Sequence, residues 1–151
     1  MQDKEFTTSL IQTKLHRPPL PVGMVKRPRL TTWLDQRRRR PLTLVSAPAG
    51  YGKSILISCW LESVDCPAAW VSLDEQDNDL WGFLSYFRAA ILTIFPKAMP
   101  ETQALLMATP LPSVPAIAKR LINELNQIEE QFILVLDDYH LIETQTIHDL
   151  L

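Results

Sequence analysis

An α/β fold, with a parallel sheet flanked by helices, is predicted by three observations on these 151 residues. Short apolar runs alternate with stretches of helical periodicity. One such run, Leu42-Thr43-Leu44-Val45, leads into the loop Ala47-Pro48-Ala49-Gly50-Tyr51-Gly52-Lys53-Ser54. A second, Phe132-Ile133-Leu134-Val135-Leu136, ends in the paired acids Asp137 and Asp138. Strands and helices in alternation select a parallel sheet, and ligands of such sheets sit at the carboxyl ends of the strands. The loop and the acid pair both fall at such ends.

The first twenty-five residues read as an irregular lead-in, because Pro18, Pro19 and Pro21 remove backbone donors and favour extended chain. Pro28 suits the first turn of a helix that runs through Leu30, Trp33 and Leu34 to the arginines at 37 to 40, with Pro41 ending it. Four consecutive arginines could meet a nucleic acid or a membrane, but they also complement a helix C-terminus and are readily solvated. Leu42 to Val45 is expected to be a buried strand, and Lys53 to Val64 the helix that follows the loop, with Ile55, Leu56, Cys59 and Trp60 at helical spacing. Residues 68 to 73 form the next short strand. The cluster Asp74 to Asp79 is a turn in which Asp77, Asn78 or Asp79 caps the helix carrying Leu80, Phe83, Leu84, Phe87, Ile91 and Ile94. A metal site built from Asp74, Asp77 and Asp79 is the alternative. The aromatics Trp81, Phe83, Tyr86 and Phe87 read as packing groups rather than a base-stacking platform. Pro96 to Pro112 reads as a loop, and Val114 to Leu125 as a second amphipathic helix. The run 132 to 136 lacks alternation and is expected to be a strand buried on both faces.

The loop at 47 to 54 fits the phosphate-binding pattern, with Ala47 in the position of the first glycine. The loop residues Pro48, Ala49, Gly50, Tyr51, Gly52, Lys53, Ser54 and Ile55 would surround phosphates, with the backbone N–H groups of all but the proline as donors, and Lys53 would reach the outer ones. Mg²⁺ prefers hard oxygen donors, which Ser54 and Asp137 supply. Asp138 would then orient or deprotonate the water that attacks the γ-phosphate. ATP or ADP with Mg²⁺ is therefore the expected ligand.

A formal charge of −2 lacks the basic excess of a stand-alone nucleic-acid binder. Cys59 and Cys66 have no Cys-x2-Cys spacing and suit a reducing cytosol as free thiols. Met1 to Gln12 is polar, with no long apolar core, so neither a signal peptide nor a membrane span is expected. A cytoplasmic protein follows.

These residues resemble a family, the N-terminal nucleotide-binding domains of MalT-like, LuxR-type transcriptional regulators, which belong to the STAND class of P-loop ATPases. The resemblance rests on Thr13-Lys14-Leu15, Val25-Lys26-Arg27-Pro28-Arg29-Leu30, the segment 42 to 54, Ala69-Trp70-Val71-Ser72-Leu73-Asp74, Asp77-Asn78-Asp79, and Leu134-Val135-Leu136-Asp137-Asp138-Tyr139-His140. It implies a slow ATPase used as a switch, inactive with ADP and self-associating with ATP and a small-molecule inducer. It also places an arginine ahead of the loop against adenine, which makes Arg27 a nucleotide-contact candidate. The family's Gly-Arg-Glu stands here as Lys26-Arg27-Pro28.

The same resemblance divides the chain into a lead-in at 1–27 and a partial P-loop NTPase core at 28–151. Members of the family continue with a strand carrying a sensor arginine, a winged helix, helical repeats and a DNA-binding helix-turn-helix. The sequence to Leu151 thus reads as an N-terminal fragment whose sheet lacks its later strands, with no direct DNA binding and no membrane partner of its own. A stand-alone ATPase or small-molecule kinase, and a non-hydrolysing interaction fragment, are the competing readings.

Overall fold

The computed structural model describes residues 10–151, so the part of the lead-in before Leu10 lies outside the described residues. The chain divides into two compact units, 17–66 and the remainder, each taken by itself below.

In the unit 17–66, α1 spans Pro28–Asp35, with the proline in the first turn, where no intrahelical N–H is needed. The helix stops short of the four arginines. Arg37 donates its N–H to Leu34, Arg38 to Asp35 and Arg40 to Arg37, so these residues run on as tight turns. Two causes end the helix: Pro41 disfavours helical backbone at Arg40, and the Arg37 guanidinium folds back over the Trp33 ring at 4.2 Å and donates to the Trp33 carbonyl. α2 spans Lys53–Ser63. The expected strand at 42 to 45 is absent. Leu42 and Leu44 are 76% and 80% exposed, and the one sheet among the described residues contains no strand from this segment. An apolar run becomes a strand only when a neighbour takes up its backbone N–H and C=O groups.

The second unit holds that sheet. β1 (Ala68–Ser72) pairs in parallel with β2 (Ile133–Asp137), in a register that sets Ala68 beside Ile133 and Ser72 beside Asp137. β1 is buried over Ala69, Trp70 and Val71, whereas β2 is only half-buried along its whole length. The expectation of burial on both faces is therefore corrected. A two-stranded sheet leaves β2 at an edge, and its continuous apolar run is not matched by continuous cover.

Helices flank the pair. α3 spans Leu80–Ile94 and packs on β1, burying Phe83, Leu84, Phe87 and Ile91 in a core shared with Val71, Leu105, Ile117 and Ile147. Each such side chain contributes roughly 1.5–3 kcal/mol when fully buried. Asp79 caps α3 by accepting from the Gly82 N–H at 2.7 Å, one of the three caps that the sequence allows. The stretch expected as a loop at 96 to 112 contains α4, Pro100–Leu106. Its start is fixed from a distance: the Glu124 carboxylate accepts from the N–H groups of Glu101 and Thr102 and from the Thr102 hydroxyl. Proline density hid a helix that begins on a proline. α5 spans Val114–Asn126 and α6 spans Gln145–His148. The architecture is α/β, a two-stranded parallel sheet flanked by helices, compatible with part of a P-loop fold.

Candidate functional site

The loop at 47 to 54 turns on two glycines. Gly50 has φ +80° and Gly52 φ +73°, the latter at the N-cap of α2, so both occupy left-handed backbone that other residues adopt only under strain. Nothing lies within 4 Å of where a Cβ would stand at either glycine, so the open side of the turn is free for a ligand to approach. Tyr51 donates its N–H to the Pro48 carbonyl at 3.4 Å and leaves its ring exposed.

Lys53 crosses the loop. Its ammonium donates to the carbonyls of Ala47 at 2.8 Å and Pro48 at 3.2 Å, which holds the cation against the start of the loop. The interaction is exchangeable, because a phosphate oxygen is a stronger, charged acceptor than a carbonyl. Ser54 sits half-buried in the first turn of α2. The first turn of an eleven-residue helix brings a positive dipole end to the same place.

Arg27 joins the loop from outside it, donating from its guanidinium to the Tyr51 carbonyl at 3.1 Å. Together with Met24, Val25, Gly52, Ile55, Leu56 and Cys59 it lines a cavity of about 170 Å³. Arg27, Gly52 and Ile55 had been picked from sequence; Met24, Val25, Leu56 and Cys59 had not. Ile55 and Cys59 are four apart on α2 and so share a face, a spacing that in the sequence predicts the helix but not the cavity. Ser58, fully buried, donates to the Pro18 carbonyl and Arg17 to the Ser58 carbonyl, so the proline-rich segment is strapped to α2.

Asp137 and Asp138 belong to the other unit. Asp137 closes β2, and its carbonyl accepts from the Leu73 N–H at 3.0 Å. Asp138 is exposed and left-handed, φ +56° and ψ +28°, and its N–H donates to the Asp137 carboxylate at 3.1 Å. The turn Tyr139–Leu141 follows, with the Tyr139 hydroxyl hydrogen-bonded to His148 Nδ1 at 2.6 Å. Burial pushes the Tyr139 phenol up from its ordinary pKa of 10.0.

Beside the end of β1, the acid cluster does more than cap. Lys14 donates to Asp77 at 2.8 and 3.0 Å and lies 2.7 Å from the Asp74 carboxylate, with its ammonium 4.7 Å above the centre of the Tyr86 ring. Asp77 also accepts from the Asp74 N–H, and Asp74 from the Gln76 N–H, which closes a capping box. These two carboxylates are thus engaged by a lysine sixty residues away in sequence. The partner was missed because no local spacing connects Thr13-Lys14-Leu15 to Asp74 and Asp77.

No family model matches the chain. Over 140 residues, 93% of its length, the chain is 37% identical to the HTH-type transcriptional regulator MalT of Klebsiella pneumoniae subsp. pneumoniae and equally to that of Klebsiella pneumoniae strain 342. It is 36% identical over the same length to the HTH-type transcriptional regulator MalT of Yersinia pestis strain Pestoides F. The chain spans about 15% of the length of these curated relatives. It is therefore a homologue of the MalT transcriptional regulators across nearly all of its own residues.

Proposed function

We propose that the chain is an ATP-binding switch module of a MalT-like transcriptional regulator. The observation that carries this reading is the loop itself: two left-handed glycines at the start of α2, with the Lys53 ammonium held across the turn on exchangeable carbonyl acceptors. A loop of this geometry at a helix N-terminus suits an anion, and the cavity lined by Arg27, Gly52 and Ile55 offers an adjoining surface to the base.

In this reading the loop 48 to 55 binds the phosphates through the N–H groups of 49 to 55 and the Lys53 ammonium, and Arg27 lies against the adenine. Ser54 and Asp137 hold Mg²⁺, whose charge offsets that of the β- and γ-phosphates. Asp138 orients or deprotonates the attacking water, and turnover is slow because its purpose is to reset a switch. The nucleotide-binding core spans 28–151 with 1–27 as lead-in, self-association with like domains accompanies ATP binding, and DNA is reached through other parts of a regulator. A cytoplasmic setting accords with this; among the described residues no helix is long and apolar enough to cross a membrane.

The magnesium assignment is tested by ATP affinity measured with and without Mg²⁺. The parent is expected to bind more tightly with the cation, and Asp137→Ala to lose that difference. A magnesium dependence unchanged by Asp137→Ala contradicts the assignment.

A further inference from the structure

We propose that Asn78 is a positioning residue for Asp138, fixing the direction in which that carboxylate points. The inference rests on the reading of Asp138 as the acid that acts on the attacking water. Asp138 is exposed and not packed in place; His140 Nδ1 lies 3.9 Å from its carboxylate, and its direction otherwise follows from the backbone. That backbone is left-handed, a conformation aspartate adopts more readily than most residues with a Cβ but still at a cost that its surroundings offset.

The surroundings converge on one side-chain amide. The Asp138 carbonyl accepts from the Leu141 N–H at 2.9 Å, and the Leu141 carbonyl in turn accepts from Asn78 Nδ2 at 2.8 Å. The second hydrogen of Nδ2 is directed to the Glu75 carbonyl at 3.2 Å. Asn78 Oδ1 accepts from the N–H groups of Glu143 at 2.6 Å and Thr144 at 3.2 Å, while the Thr144 hydroxyl donates to the Asn78 carbonyl at 2.6 Å. Asn78 thus holds the chain at 141, 143 and 144, immediately beyond the turn that Asp138 opens. Both donors and both acceptor sites of the amide are used.

The amide is itself anchored. On one side Asp77 is almost fully buried and ion-paired to Lys14; on the other Asp79 caps α3. Asparagine is the side chain this position needs, because it must donate to two carbonyls and accept from two amides within a single short plane. Aspartate would turn a lone pair toward the Leu141 carbonyl, and alanine would release the segment.

ATP turnover and Mg·ATP affinity of the full chain, measured for the parent, Asn78→Ala, Asn78→Asp and Thr144→Val, test the proposal. A misdirected catalytic group lowers kcat without weakening ground-state binding. Asn78→Ala and Asn78→Asp are expected to lose roughly tenfold or more in kcat with Kd changed less than about twofold, and Thr144→Val to lose less. An unchanged kcat in Asn78→Ala overturns the proposal, as does a fall of kcat and affinity together in proportion to the unfolded fraction. If Asn78→Ala does not fold, Thr144→Val carries the test, since it removes only a hydroxyl; an unchanged kcat there overturns the proposal equally. A parent that neither binds nor turns over ATP, or an Asp138→Asn variant as active as the parent, fails the underlying reading instead and takes the proposal with it.

Discussion

Lys14 is a nearly buried ammonium whose charge is met by two carboxylates and one aromatic face. Removing one partner of such a pair leaves the other uncompensated, which costs about 3–5 kcal/mol. Lys14→Met, which strands the buried Asp77, is expected to fall in that range by urea denaturation, and a loss below about 1 kcal/mol contradicts the assignment. Burial alone pulls the ammonium down, but its hydrogen bonds to Asp74 and Asp77 and the charge of Asp77 outweigh burial and hold its pKa above the ordinary 10.5. The hydrogen bond from Lys14 holds Asp74 below the ordinary 3.8 against a smaller opposing effect of burial. A raised lysine stabilises fully below its unfolded pKa and loses that contribution as pH rises through the folded value. A lowered aspartate stabilises above its unfolded pKa and loses its share as pH falls through the folded value. The denaturation midpoint is therefore expected to decline above pH 10.5 and below pH 3.8, with both declines shallower in Lys14→Met. Gly52 is the other residue-scale test. Its Cβ position is open but its φ is +73°, so Gly52→Ala is expected to cost roughly 1–3 kcal/mol through backbone strain alone.

At the scale of elements, the start of α4 depends on one distant side chain. Glu124 is buried and accepts two backbone N–H groups and a hydroxyl, so Glu124→Ala is expected to cost about 2–3 kcal/mol, and Glu124→Gln less, by chemical denaturation. The long helix at 80 to 94 and the one at 114 to 126 are legible because their apolar positions recur at helical spacing, and the first is preceded by its cap Asp79. α4 was not, because the group that caps it lies more than twenty residues further along the chain. The run 42 to 45 shows the converse. Its composition says strand, but strand formation is decided by a neighbour and not by the run. Amides at 42 to 45 are expected to exchange rapidly while those of β1 are protected, and slow exchange at 42 to 45 contradicts the exposed geometry. In the site, the glycines, Lys53 and the acid pair could be read from spacing. Asn78 could not, since its partners at 141 to 144 lie more than sixty residues away along the chain.

Across the whole molecule, charge is unevenly shared. The unit 17–66, which carries the loop and Arg27, has nine lysines and arginines against three acids, although the chain as a whole is at −2. A basic unit attracts a multiply charged anion at long range, an attraction that salt screens. ATP affinity is therefore expected to weaken as ionic strength rises, more steeply than ADP affinity. The loop geometry and the similarity to MalT regulators over 93% of the chain meet in one claim, that this segment binds ATP through Lys53. Calorimetric titration of Mg·ATP into the parent and Lys53→Ala tests it most directly. Saturable binding in the parent that weakens at least about tenfold, or roughly 1.4 kcal/mol, in the variant is the expected result; equal affinity in the two proteins, or no binding to the parent, contradicts it.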